Sequence, residues 1–387
     1  MNNLTAPAAF FAGALLACAL NWLALVSWRR AAGQHWTERA RRLYPARVGA
    51  ALNLWLLPAN GVLLARLVHS DASWLLALTA FTGWLGAMLG TWPFSREMFP
   101  WLTFRGWLHL AVVGWCLSFA GWFLLLGAAA VMPENFGWPV AGVATAVLLI
   151  TFWLLFGGGR QLLRGCRLLA PPDERLQRIV ATTAVRMGVS VRATGLLESV
   201  SSYAAALPIT RELIFSRRLL ELHPDDEIAA ICAHELAHLS ESKRVTAGRI
   251  LASFAFTPWI LFKPALHTWQ FAGLAVLAFS WGLLLVFAQR LARRMEVRAD
   301  QMATANQPEP GTYARALARL YEANQIPAVM SGSRRTHPHL YDRLIAAGVT
   351  PDYPRPKPPA RLGWTTGLVM IIAGILLGLN FAAGVSF

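Results

Sequence analysis

His234-Glu235-Leu236-Ala237-His238 sits inside an apolar stretch, 228–239, that the preceding residues mark as a helix. Pro224 opens it, and Asp225, Asp226 and Glu227 fill its first turn, where acids complement the helix dipole. A spacing of four puts both imidazoles on one face, a turn apart, so that they can share one metal ion. Glu235 follows the first histidine and can reach a water on that ion without ligating it. The bland alternative is a surface helix with two solvated histidines. The runs 228–232 and 236–239 argue against it, because they make the helix apolar nearly all round and therefore buried. Buried histidines beside a carboxylate need partners that offset their desolvation.

Zinc takes a third protein ligand and keeps one position open. The best candidate is Glu296, in Glu296-Val297-Arg298-Ala299-Asp300, on a helix expected over about 290–305. Asp300 lies one turn further on the same face, placed to accept the free ring N–H of a ligand histidine, which fixes its tautomer. A solvated acidic pair on a basic helix is the competing reading. Glu296 meets the histidines only if residues 239–295 return to the side they left. The stretch 251–289 suits two membrane crossings with a tight outside turn at Lys263-Pro264, the first being a weak segment at about 249–263.

The rest of the chain fits a membrane protein. It has 387 residues, of which 56% are hydrophobic and 14% charged, whereas soluble domains carry about 25% charged residues. A bilayer core needs about 20 apolar residues per helix, and such runs lie at about 6–27, 49–69, 73–92, 106–130, 138–157, 268–289 and 363–386. With the weak segment this makes about eight transmembrane helices. The connections holding Arg29, Arg30, Arg39, Arg41, Arg42 and Arg47, then Arg96 and Arg105, then Arg160, Arg164 and Arg167, alternate with loops that carry Asp71 and Glu134 and no Lys or Arg. The positive-inside rule therefore places both termini outside and both polar blocks in the cytoplasm.

The expected architecture is mainly α, a polytopic membrane protein with an α+β metalloprotease domain. Residues 1–157 form a five-helix membrane region. The protease domain spans 158–361, interrupted by a membrane hairpin at about 249–289, and a last transmembrane helix covers 362–387. Within that domain the pattern predicts a helix from Pro171-Pro172-Asp173-Glu174 to Gly188, short strands at 189–191 and 213–215, and a helix over 312–324. The net charge of +15 raises nucleic-acid binding as an alternative, but no aromatic-interleaved basic stripe and no zinc-finger spacing supports it. Cys18, Cys116, Cys166 and Cys232 are too scattered for a disulfide framework or a cysteine metal knuckle.

Three ordered motifs resemble the HtpX and CAAX-prenyl-protease family of gluzincin membrane metallopeptidases. The first is Asp226-Glu227-Ile228-Ala229-Ala230 leading into His234-Glu235-Leu236-Ala237-His238. The second is Glu296-Val297-Arg298-Ala299-Asp300-Gln301-Met302-Ala303, and the third is Thr336-His337-Pro338-His339-Leu340-Tyr341-Asp342-Arg343-Leu344. The resemblance covers about 171–345 and implies a zincin-like fold, membrane residence and proteolysis with one zinc per chain. By position it implies His234, His238 and Glu296 as ligands, Glu235 as base and Asp300 behind the ligands. His337 resembles a family histidine that donates to the oxyanion, and Arg343 an arginine that braces the site. Where the family often carries an Asn-Ala pair on the strand lining the substrate cleft, this chain reads Ser202-Tyr203-Ala204-Ala205-Ala206.

The function expected is metalloendopeptidase cleavage of hydrophobic, membrane-associated or misfolded polypeptides in a bacterial inner membrane, with no nucleic-acid partner. Two alternatives remain open on the residues alone. One is a signal-transducing membrane metalloprotease, for which the outside loops are too short to form a sensing domain. The other is a transporter or scaffold with an inert metal site.

Overall fold

A computed structural model of the chain describes residues 5–69, 73–118, 120–330 and 338–384. The protein is mainly helical, with one small sheet. It divides into two compact units.

One unit comprises Met1–Trp107, Gln325–Ser331 and Tyr353–Phe387. Among its described residues, four helices are long and apolar enough to cross a membrane: Thr5–Arg29, Trp36–Val68, Leu75–Met98 and Trp364–Ala382. Small residues let the first and third approach closely. A Cβ at Gly86 or Gly90 would fall on the carbonyl oxygen of Phe10 or Ala14. Asn60 and Asn380 donate to the carbonyls of Val369 and Leu63, tying the second helix to the last. Residues 36–48, read from sequence as part of an arginine-rich connection, are helical. Glu38 pairs with Arg41 and Arg42 at 2.6 and 2.7 Å, an i,i+3 and i,i+4 pattern that supports helix through a charged stretch.

The other unit comprises Leu108–Asn324 and Gly332–Asp352. Its sheet has the order β1-β2-β4-β3, from β1 (Leu169–Ala170), β2 (Ala193–Leu197), β3 (Ala204–Leu207) and β4 (Glu212–Ser216). β2 and β4 run parallel, and β3 is an antiparallel edge strand with Ala204 opposite Phe215. The predicted strand 213–215 lies in β4, whereas 189–191 precedes β2 as a connection.

The helix Glu174–Met187 starts at Asp173, whose side chain accepts from the Leu176 amide. It stops at Gly188, which takes the left-handed conformation that ends many helices (φ 63°). With Thr312–Ala323 and the sheet it encloses the helix Asp225–Leu239, buried over most of its length. Leu176, Leu213, Phe215, Ile228, Leu236 and Ala316 belong to one core cluster. Each fully buried large side chain among them contributes roughly 1.5–3 kcal/mol.

Among the described residues, six helices are long and apolar enough to cross a membrane, the other two being Trp138–Gly165 and Lys243–Ala305. The segment at 106–130 is two helices, Phe104–Ser118 and Ala120–Val131, on either side of residue 119, which lies outside the described residues. The expected hairpin differs in its corner. Lys243–Ser253 is followed by a 3-10 turn at Thr257–Leu261 and a helix Phe262–Ala305 that breaks at Gln270 (φ 49°, ψ −135°). Pro264 lies in that helix's first turn, where proline is tolerated, so Lys263-Pro264 does not make the turn. Trp281 meets Phe256 and Trp259 with ring centroids 5.7 and 5.8 Å apart, so the chain beyond Gln270 runs back along the segment before it.

Candidate metal centre

The returning helix delivers Glu296 to the two histidines. Nε2 of His234 lies 3.4 Å from Oε2 of Glu296, and Nε2 of His238 lies 3.5 Å from Oε1. One potential ligand atom from each of the three residues lies within 4.8 Å of the others, and all three residues are buried. Two imidazoles and one carboxylate form the donor set of a catalytic zinc site with an open position, so these residues fit such an ion.

The other ring nitrogens are held by acids. Nδ1 of His234 lies 2.8 Å from the Tyr313 hydroxyl and 3.1 Å from Oδ1 of Asp300. Tyr313 donates to Asp300 at 2.7 Å and accepts from Arg343 at 2.9 Å. With the hydroxyl proton committed to Asp300, Nδ1 of His234 carries its own proton, which leaves Nε2, on the Glu296 side, as the nitrogen for a metal. Nδ1 of His238 lies 2.9 Å from Oε1 of Glu241, which also takes two bonds from Arg249 at 2.6 and 2.7 Å. The same reasoning sets the same tautomer.

These contacts shift protonation. Burial alone pulls His234 down, but its bonds to Asp300 and Glu296 outweigh that and push the metal-free ring up to about 9. Burial resists ionisation of Glu241, yet His238 and Arg249 hold the carboxyl below its usual range. Burial keeps the Tyr313 hydroxyl protonated, well above its ordinary value.

Asp300 and Arg343, both singled out from sequence, meet here. Arg343 places Nε 2.8 Å and Nη2 2.6 Å from the two Asp300 oxygens. Arg298, within the second motif, donates to Ala237 O at 3.1 Å and Ser240 Oγ at 3.1 Å, satisfying carbonyl and hydroxyl groups at the end of the histidine helix. Sequence reasoning missed Tyr313, Glu241, Arg249 and Arg298. Glu241 alone had a local signal, as an acid three residues beyond His238. His337 lies outside the described residues.

Ser202, Tyr203, Ala204 and Ala205 run into and along β3, which lies against the histidine helix. Burial, then the nearby Glu235 carboxylate, raises the Tyr203 phenol to about 12, so the buried Glu235 and the start of β3 are neighbours. Ser216 N–H donates to Tyr203 O at 2.9 Å, which directs the Tyr203 carbonyl toward β4. By strand alternation, the backbone groups of Ser202, Ala204 and Ala206 face the open edge. Ser202 is already taken: its N–H donates to the Asn324 carboxamide at 2.9 Å, and its carbonyl accepts from the same side chain at 2.5 Å.

A candidate metal site thus lies on a buried helix that packs against an edge strand. Residues 170–348 match the family model of peptidase family M48, which supports a relation to the HtpX- and CAAX-protease-like metallopeptidases. No curated protein matches the chain.

Proposed function

We propose that the protein is a zinc-dependent membrane endopeptidase acting on hydrophobic, membrane-associated or misfolded polypeptides. The observation that carries the reading is the convergence of His234, His238 and Glu296 within 4.8 Å, with an acid behind each histidine. Bound there, a zinc ion supplies Lewis acidity that acidifies a water and polarises a carbonyl. Glu235, the buried neighbour of His234, takes the proton of the attacking water and passes it to the leaving amine. An extended substrate pairs with the outward backbone groups of Ala204 and Ala206, a mode that reads little sequence. The Asn324 carboxamide on Ser202 ends the open edge and fixes where that pairing starts. His337 is assigned to the oxyanion on the family resemblance.

The membrane arrangement we propose has eight crossings, counting 104–131 as one and the hairpin around Gln270 as two. Both termini lie outside and the peptidase domain in the cytoplasm of a bacterial inner membrane, as the arginine bias favours. Single-cysteine labelling from each side tests this, and accessibility of residue 71 only from the cytoplasm would reverse it. For the activity, detergent-purified protein and a His234→Ala variant should differ in zinc content and in casein cleavage. Equal cleavage by both would remove the assignment.

A further inference from the structure

A cavity of about 820 Å³ borders β3 on the same unit. Tyr203 and Leu207 of the strand region form one side, and apolar helix residues such as Leu117, Leu154 and Leu163 form another. That volume lies in the range of ligand sites and is ample for several apolar side chains. Unfilled apolar space forfeits dispersion contacts, so a cavity this size suits an occupant.

Two features keep it open. An added Cβ at Gly114, Gly121 or Gly157, all in the lining, would meet nothing within 4 Å. The helix Trp138–Gly165 passes through a π-turn at Leu154–Gly158, where Gly157 has φ 124°, a conformation that strains any L side chain. Such turns recur at functional sites. Just beyond, Arg160 pairs with Glu212 of β4, tying the bent helix to the sheet.

We propose that this cavity is the subsite that receives an apolar stretch of the cleaved polypeptide next to the segment paired with β3. The proposal rests on the peptidase reading above. Three observations favour that occupant: Tyr203 belongs both to the cavity wall and to the surroundings of Glu235, Ala204 and Ala206 offer backbone pairing beside it, and one wall is a helix apolar enough to span the bilayer.

The test uses two fluorescent peptides with one shared core, one with an oligoleucine tail and one with an oligoserine tail. Their binding to the full-length Glu235→Gln protein is measured in detergent and in phospholipid nanodiscs. The leucine-tailed peptide should bind about tenfold or more tightly, by burial of its side chains. Gly114→Leu and Gly121→Leu, which add bulk to the cavity lining, should bring that ratio near one. Gly142→Leu, on the bent helix Trp138–Gly165 but outside the cavity lining, should keep it. Melting temperature and zinc content identify misfolded variants, and Gly114→Ala and Gly121→Ala then supply a graded series.

Absence of the preference, its survival in correctly folded filled variants, or its loss only in phospholipid (which would identify a lipid occupant) would each overturn the proposal. Cleavage is read separately in protein with Glu235 intact. Tail-dependent binding without any cleavage sinks the peptidase reading and leaves the subsite. Cleavage with no tail dependence sinks the subsite alone.

Discussion

The two histidines are held in different ways. His234 depends on distant parts of the chain: Asp300, Tyr313 and Arg343 come from three separate segments and bond to one another, and the first two also meet the ring. His238 depends on its own neighbourhood: Glu241 is three residues on, and Arg249 lies on the next helix. The Arg343 side chain is 6% exposed, whereas that of Arg249 is 29% exposed. The difference teaches that one side of the centre is locked by the fold of the whole domain, and the other by a local turn. Damage to the first should therefore spread, and damage to the second should stay at the metal.

The widest gap between the two sides should appear in stability. Asp300→Ala leaves the Arg343 guanidinium buried and unpaired, which costs about 3–5 kcal/mol. Glu241→Ala strands a half-exposed arginine and should cost clearly less in the same denaturant titration. Equal losses would erase the distinction. Milder changes move the comparison to the metal: Asp300→Asn and Glu241→Gln should each weaken zinc binding by roughly 10–100-fold in chelator competition. Asp300→Asn should also lower the melting temperature more.

Protonation gives a smaller effect. The metal-free His234 ring is raised to about 9, so at neutral pH a proton competes with zinc. Affinity should rise about tenfold per pH unit on approaching 9 from below, with a proton released on zinc uptake, and a flat profile from pH 7 to 8.5 would contradict the assigned contacts. Smallest of all, Tyr313→Phe removes a hydroxyl that bonds Asp300, Arg343 and the ring, while Asp300 itself still faces the ring. It should cost about 1 kcal/mol in stability and only a few-fold in zinc affinity.

What was legible in the sequence follows the same division. The histidine helix announced itself because spacing, flanking apolar residues and first-turn acids are all local. Glu296 and Asp300 were readable because they too sit a turn apart on one helix. Tyr313 was not, since nothing in the sequence around 313 records that the residue faces His234, 79 positions away. The hairpin was legible as two apolar runs, but its corner was placed at a proline. The actual break at Gln270 uses a positive φ in a residue type that gives no turn signal. The helical stretch from Trp36 was missed because its arginines read as a loop, when Glu38 pairs with two of them along the helix. β3 is nearly all alanine, a residue depleted in strands, and is held by its pairing with β4 rather than by propensity.

The most direct test of the central claim is zinc content together with peptide cleavage for the unsubstituted protein beside Glu235→Gln. The account predicts about one zinc per chain in both and turnover only with Glu235 intact. Cleavage that persists in Glu235→Gln, or a protein that binds no zinc at all, would contradict it.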